Sequence, residues 1–283
     1  MAQSTINASI VTYHTSPKEL NDCLKSLLAT PAIAHVDVID NASEEAVANV
    51  CAHYGDRVSY QPNPNVGFGR AHNISLRRSI DQGVTYHLVI NADVYFDAGT
   101  IEACVEYMDH NPDVGQLMPR TEFPGGEFQP TCHPVPSPLE LMIHRFTPLS
   151  WCRKRRDRYE MENADMSSPH NVPVHHGCFM FMRVDVLKQL GVFDERYFMY
   201  GEDFDLTRRI HRHYRTMYYP GAKIVHLYKG QSRTNLKLFW IHCVSMLKYF
   251  AKWGFFIDRE RVAFNRALRA DLAQTSSQSR HAD

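Results

Sequence analysis

The sequence predicts an α/β domain with a mostly parallel central sheet, helices on both faces and a helical C-terminal extension. Three features predict it. Apolar runs of strand length alternate with amphipathic stretches from residue 8 to residue 118; cap and turn residues bound those stretches; and polar or acidic residues follow several of the apolar runs. Right-handed crossovers would gather the strand ends on one edge of the sheet, the edge where open α/β sheets bind ligands.

The elements follow in order. Residues 8–13 read as the first strand, and Ser16 to Glu19 matches a capping box with Pro17 at the first helical position. Leu20, Leu24, Leu27 and Leu28 place an apolar stripe on that helix. Residues 36–40 form the second strand, Ser43 is positioned to cap a second helix, and residues 58–61 form a short third strand. A helix from Gly69 to Gln82 stops at Gly83. Residues 86–91 form a buried strand, a helix then carries Ile101, Val105 and Met108 on one face, and residues 114–118 form another strand.

From Pro119 to Pro173 periodicity is lost among repeated prolines, and Arg153 to Arg158 is a basic cluster suited to a solvated loop or to anionic lipid or phosphate. Strand character returns near residues 172–183, where Phe179 and Phe181 alternate with Met180 and Met182. The expected division is a catalytic domain over residues 1–232, with halves at about 1–118 and 119–232, a helical segment over 233–269 and a disordered polar tail over 270–283.

Composition narrows the class. Lys plus Arg equals Asp plus Glu at 31 each, so nothing points to nucleic acid as a partner. The seven scattered cysteines lack C-x-x-C spacing, which predicts a reduced, cytosolic compartment. Residues 1–7 are polar, so no secretory signal is expected, and no run approaches the roughly 18 apolar residues of a membrane span.

Two acidic sites suggest chemistry. Glu202, Asp203 and Asp205 open a helix behind Phe198 and Tyr200, as a general base in a partly dry pocket would, although acids in a first turn also suit the helix dipole. Asp93 follows the 86–91 strand with Asn91 two residues before it, where it can either hold a divalent cation against a diphosphate or cap the next turn.

The motifs then align in order: Ser9-Ile-Val-Thr-Tyr13, Val38-Ile-Asp-Asn-Ala-Ser43, Asn65-Val-Gly-Phe-Gly69 with Asn73, Asn91-Ala-Asp-Val94, His176-Gly-Cys-Phe179, Phe193-Asp-Glu195, Phe198 to Leu206, and Val225-His226. The series resembles family 2 glycosyltransferases with a GT-A fold, especially the bacterial rhamnosyltransferase-like branch that builds O-antigen and related polysaccharides, over about residues 5–255. Each motif is weak alone, and the order carries the signal.

The resemblance implies roles. Asp40 would read the nucleotide base beside Thr12 and Tyr13. Asn65, Gly67 and Asn73 would close over the nucleoside, with Arg70 facing either the diphosphate or solvent. Asp93 would hold Mg²⁺ or Mn²⁺ with His226, and Asn91, which stands where many relatives have Asp, would position the sugar or nucleoside. Asp203 would be the base of an inverting displacement, with Glu202 orienting the acceptor or raising Asp203 by like-charge repulsion. His176 and Gly177 would shape the acceptor side, although a packed strand residue is an equal reading of His176. Asp205 would be structural, paired with Arg208 or Arg209 at helical spacing.

The implied partners are a nucleotide-sugar, first dTDP-rhamnose and then a UDP-hexose, and a saccharide acceptor linked to polyprenyl diphosphate at the cytoplasmic face of the inner membrane. Residues 236–256 mix Trp240, Phe250 and Trp253 with Lys237, Lys248 and Lys252, which suits a helix lying on a membrane or one packed on the domain. A nucleotidyltransferase or sugar-diphosphate hydrolase would share the fold, but the former is expected to carry a Gly- and basic-rich triphosphate loop, which the sequence lacks. A non-catalytic sugar-binding module would not need Asp93 and Asp203.

Overall fold

The computed structural model describes residues 4–141, 159–161, 164–228 and 235–282, with side chains described as far as residue 275. The basic cluster from Arg153 to Arg158 lies outside the described residues. Parallel strands β1 (Ile6–Thr12), β2 (Ile33–Asp40), β3 (Val58–Pro62) and β4 (Tyr86–Asn91) make one half of the sheet. Helices α1 (Pro17–Leu28), α2 (Glu45–Ala52) and α3 (Phe68–Gln82) connect them. Next come β5 (Val94–Tyr95), α4 (Thr100–His110), β6 (Val114–Glu122), β7 (Cys132–His133), β8 (His170–Asn171), β9 (Val174–His175) and β10 (Phe179–Arg183). The chain closes with α5 (Val184–Leu190), α6 (Glu202–His211), β11 (Arg215–His226), α7 (Leu236–Trp253) and α8 (Arg259–Ala282).

The sheet order is β3-β2-β1-β4-β10-β6-β11-β5, with β8 also paired to β11. Parallel pairing therefore covers only part of it. β10 inserts antiparallel between β4 and β6, and β5 and β8 pair antiparallel with β11. The β7–β9 pair forms a separate small sheet.

Alternation along β10 explains the layers. Phe179 and Phe181 enter the core shared with Leu20 and Leu24 of α1, while Met180 and Met182 meet Leu76 of α3 and Leu206 of α6 on the opposite face. Ile101, Cys104 and Met108 bury the inner face of α4, so Cys104 takes part of the place expected of Val105, which is only partly buried. The free cysteines among the described residues are mostly buried core residues.

The structure changes two expected caps. Ser16 makes no side-chain cap bond, although Pro17 does begin α1. Ser43 adopts a positive φ of 54°, and Glu44 occupies the cap position of α2. The α2 entry is instead tied down by Asp40, whose Oδ2 accepts the Glu44 N–H at 2.6 Å. Gly83 ends α3 in the left-handed region as expected, at φ 67°.

The polar tail expected to be disordered after Arg269 continues as helix through α8 to Ala282. Leu268 is buried, Leu272 packs against the main core, and Asp271 pairs with the buried His170 ring at 3.0 Å. These anchors let a helix with few apolar residues persist, since tertiary contacts rather than propensity stabilise most helices.

Candidate active site

The carboxyl edge of the sheet collects the predicted residues in two connected groups. In the first, Thr12 and Asp40 end the adjacent strands β1 and β2 and are both buried. The Thr12 hydroxyl donates to Asp40 Oδ1 at 3.0 Å, and the Tyr60 hydroxyl donates to Oδ2 at 3.2 Å. With the Ala42 and Glu44 amides also donating to it, Asp40 is an anchored carboxylate that orders the crevice floor. Tyr13 stands free of this cluster with 53 % of its surface exposed.

The 65–69 loop leans on the loop that carries the acids. Gly67 has φ 93°, and a Cβ there would lie 2.0 Å from the Phe198 carbonyl oxygen, so this crossing requires glycine. Asn65 Oδ1 accepts the Gly67 N–H, and the Phe68 N–H donates to the Phe198 oxygen at 2.9 Å. Asn73 is buried and uses its side chain to hold Phe193 and Glu195. Its contribution to the crevice therefore passes through the loop it anchors. Arg70, half exposed, pairs with Glu195 at 3.2 Å, an alternative to both a free solvent-facing arginine and one turned to the diphosphate.

Asp93 lies between β4 and β5, and His226 ends β11, where it pairs with Val94. His226 Nε2 is 3.5 Å from Asp93 Oδ1. Burial works against an imidazolium at His226, but the Cys178 sulfur and the Asp93 carboxylate outweigh it and hold the ring up to about 10. Its Nδ1 is buried without a hydrogen-bond partner.

A divalent cation would displace the shared proton from this pair. The spacing suits two neighbouring ligands of one ion, since ligands at about 2.1 Å in an octahedron lie roughly 3 Å apart. Among the described residues no group of three or more His, Cys, Asp and Glu side chains is arranged to hold a metal. Asp93 and His226 alone supply two such side chains. Asn91 lies beside them, where its N–H donates to the Cys178 oxygen at 3.0 Å.

The second group opens α6. Asp203 Oδ2 accepts the Gly177 N–H at 2.9 Å, and Oδ1 accepts the Phe204 N–H at 2.9 Å. Glu202 is only 3 % exposed, and its Oε2 is buried without a partner. Burial, then the charge of Asp203, pushes the Glu202 carboxyl up to about 8. The expected repulsion between these acids thus acts on Glu202.

His176, Gly177 and Cys178 bridge the groups: Gly177 reaches Asp203, while Cys178 reaches Asn91 and His226. His176 is partly exposed beside the His133 ring, which stacks on Tyr159. Burial would push the Cys178 thiol up, but His226 and His176 outweigh it and draw it down to about 7. Sequence reasoning passed over Cys178; its only signal was its position between a histidine-glycine pair and a buried strand.

The tether behind α6 was also missed in part. Asp205 pairs with Arg209 at 2.9 Å, as its helical spacing predicted, and also accepts the Trp253 N–H at 2.8 Å and pairs with Lys252 at 2.6 Å. Arg208 turns elsewhere, to Asp258 at 2.7 Å and Glu260 at 2.9 Å, with its guanidinium 4.2 Å from the Trp253 ring centre.

The mixed α/β sheet flanked by helices is the fold of GT-A glycosyltransferases. The Glycosyl transferase family 2 profile matches residues 9–191, and the chain belongs to that family. It is 30 % identical over 230 residues to an N-acetylglucosaminyl-diphospho-decaprenol L-rhamnosyltransferase of Mycobacterium tuberculosis, covering 76 % of this chain and 74 % of that protein. An uncharacterized glycosyltransferase of Rickettsia prowazekii is 24 % identical over 213 residues, with 74 % and 59 % covered.

Solved structures share the fold. A mannosyltransferase from Pyrobaculum calidifontis, in complex with GDP-Man and Mn²⁺, superposes with a TM-score of 0.59 at 17 % identity, over 88 % of this chain and 64 % of that one. S. aureus TarS 1–349 in complex with UDP-GlcNAc gives 0.55 at 15 % identity, over 86 % and 66 %. This chain is a family 2 glycosyltransferase similar to a rhamnosyltransferase.

Proposed function

We propose that the enzyme inverts the anomeric centre of a nucleotide-activated sugar in one displacement, with dTDP-rhamnose as donor and a UDP-hexose as the second choice. The acceptor is a hydroxyl of a saccharide carried on polyprenyl diphosphate, in O-antigen or capsule assembly. This follows the name of the rhamnosyltransferase it resembles, which acts on a decaprenyl-diphosphate-linked sugar. A peripheral position at the cytoplasmic face of the inner membrane goes with such an acceptor. No helix among the described residues is long and apolar enough to cross a membrane.

The observation that carries this reading is the bridge of His176, Gly177 and Cys178, which sets the Asp93–His226 pair beside the acids of α6. Thr12, Tyr13 and Asp40 form the base-binding side, and Asn65, Gly67, Arg70 and Asn73 build or brace the loop over the nucleoside. Asn91 positions the donor sugar. A bound Mg²⁺ or Mn²⁺, held by Asp93 and His226, would neutralise charge on the departing diphosphate.

Asp203 takes the proton of the acceptor hydroxyl, and its bond from the Gly177 N–H fixes the carboxylate while leaving other lone pairs for the substrate. Glu202, which retains its proton near neutrality, offers a hydrogen-bond donor to the acceptor. His176 and Gly177 line the acceptor side.

The test is release of nucleoside diphosphate from dTDP-rhamnose, UDP-sugars and GDP-sugars with Mg²⁺ or Mn²⁺, with and without EDTA. Metal-dependent release from one donor, lost by about a hundredfold or more in Asp93→Ala and in Asp203→Asn, is the expected result. Unchanged turnover in either variant would refute the assigned roles.

A further inference from the structure

Helix α7 has two working faces. Its inner face grips the turn that delivers the acids of α6. The Ser245 hydroxyl donates to the Met199 oxygen at 2.7 Å, the Tyr200 and His242 rings meet edge to face at 5.2 Å, and Lys248 donates to the Arg196 oxygen at 2.6 Å. That turn is conformationally costly at Tyr200, a bulky residue held at φ 70°, and the next residue, at φ 93°, is a glycine, which adopts that angle freely.

The outer face is apolar and open. Leu236, Trp240, Val244 and Leu247 fall on one helical stripe with 77, 66, 46 and 58 % of their surface exposed. Phe256 and Ile257, in the connection to α8, add residues that are 90 and 84 % exposed. α7 carries no acid; Lys237 and Lys248 lie along one flank of the stripe, while Lys252 is turned inward to Asp194 and Asp205. An exposed tryptophan in an aliphatic stripe with a basic flank complements the interface of an anionic bilayer.

We propose that α7 couples the bilayer to the active site: its outer face seats in an anionic lipid interface, and the seated helix holds the 198–203 turn in its strained, working shape. This rests on the peripheral placement proposed above and adds to it that lipid contact stabilises the base-bearing loop. Without the surface, the strain at Tyr200 favours opening of the turn. With it, α7 is immobilised and the turn is held.

The experiment uses the full chain and mixed phosphatidylglycerol–phosphatidylcholine vesicles, with phosphatidylcholine alone as control. The protein should sediment with the anionic vesicles at least about tenfold more strongly, as expected when lysines meet anionic lipid. Hydrogen exchange across residues 198–206 should slow on binding. Trp240→Glu combined with Leu247→Glu, both on the exposed stripe, should keep the melting temperature and lose vesicle binding. Ser245→Ala should bind vesicles and lose the slowed exchange.

Binding without slower exchange in the wild type would overturn the coupling while leaving the peripheral placement intact. Absence of vesicle binding would overturn both, as would a dimer in sedimentation that the stripe substitutions dissociate. None of these readouts depends on the identity of donor or acceptor, so they fail or succeed separately from the assignment of the reaction.

Discussion

Glu202 and Asp203 are neighbours in the chain with opposite surroundings. Asp203 accepts backbone N–H bonds on both oxygens, whereas Glu202 is buried with one oxygen unpartnered. The folded protein holds the Glu202 proton up to about pH 8, while an unfolded chain releases it near 4.5. Between those values the folded state binds the extra proton, so stability should fall as pH rises from about 5 to 8, by roughly a kcal/mol per pH unit at most. Urea midpoints at several pH values would show this slope, and Glu202→Gln should flatten it.

The same variant separates two roles. If Glu202 serves as a neutral hydrogen-bond donor, glutamine should retain most turnover, whereas Asp203→Asn should abolish it. The acids were legible in the sequence as a cluster. Their roles came only from the family resemblance, because the contact that sets their surroundings apart, the Gly177 N–H donating to Asp203 alone, joins residues distant in the chain.

At the scale of elements, the sequence made helical stripes and strand runs plain because periodicity is local. Capping by Ser43 was misread, because its backbone turns left-handed and the Asp40 carboxylate takes the Glu44 amide; Ser16 stands at the cap position in extended backbone but makes no side-chain cap bond. The loop crossing at Gly67 could be seen as a glycine but not as a contact. Gly67→Ala should cost at least about 2 kcal/mol, because both the positive φ and the Phe198 oxygen oppose a Cβ. Chemical denaturation would measure that cost, and turnover should fall with it because the two substrate loops meet there.

The grip of α7 on α6 gives a second element-level expectation. Trp253→Phe keeps an aromatic ring beneath Arg208 but removes the N–H bonded to buried Asp205. Leaving that carboxylate one donor short should destabilise the protein by about 1–3 kcal/mol, read as a shift in denaturation midpoint without a change in slope.

For the whole molecule, chelation and truncation should act differently. The Asp93–His226 pair is satisfied by a proton when no cation is present, so EDTA should stop turnover while moving the melting temperature by no more than a few degrees. Deleting residues 236–283 removes Tyr249 and Phe250 from their cluster and Asp258 from buried Arg208. The remainder should be poorly soluble instead of a stable catalytic core, which size-exclusion chromatography would reveal. The sequence supplied the parallel half of the sheet, but the antiparallel insertion of β10 was hidden because strand order is a long-range property.

That insertion has a consequence for synthesis on the ribosome. Strand β4 ends at Asn91, and its partner on one side begins only at Phe179. At about 5–20 residues per second, on the order of ten seconds pass with the apolar β4 edge and the β6 strand waiting for the segment that joins them. The nascent chain must therefore keep a half-built sheet from pairing with other chains, and demand for chaperones should be greatest just before Arg183 leaves the exit tunnel.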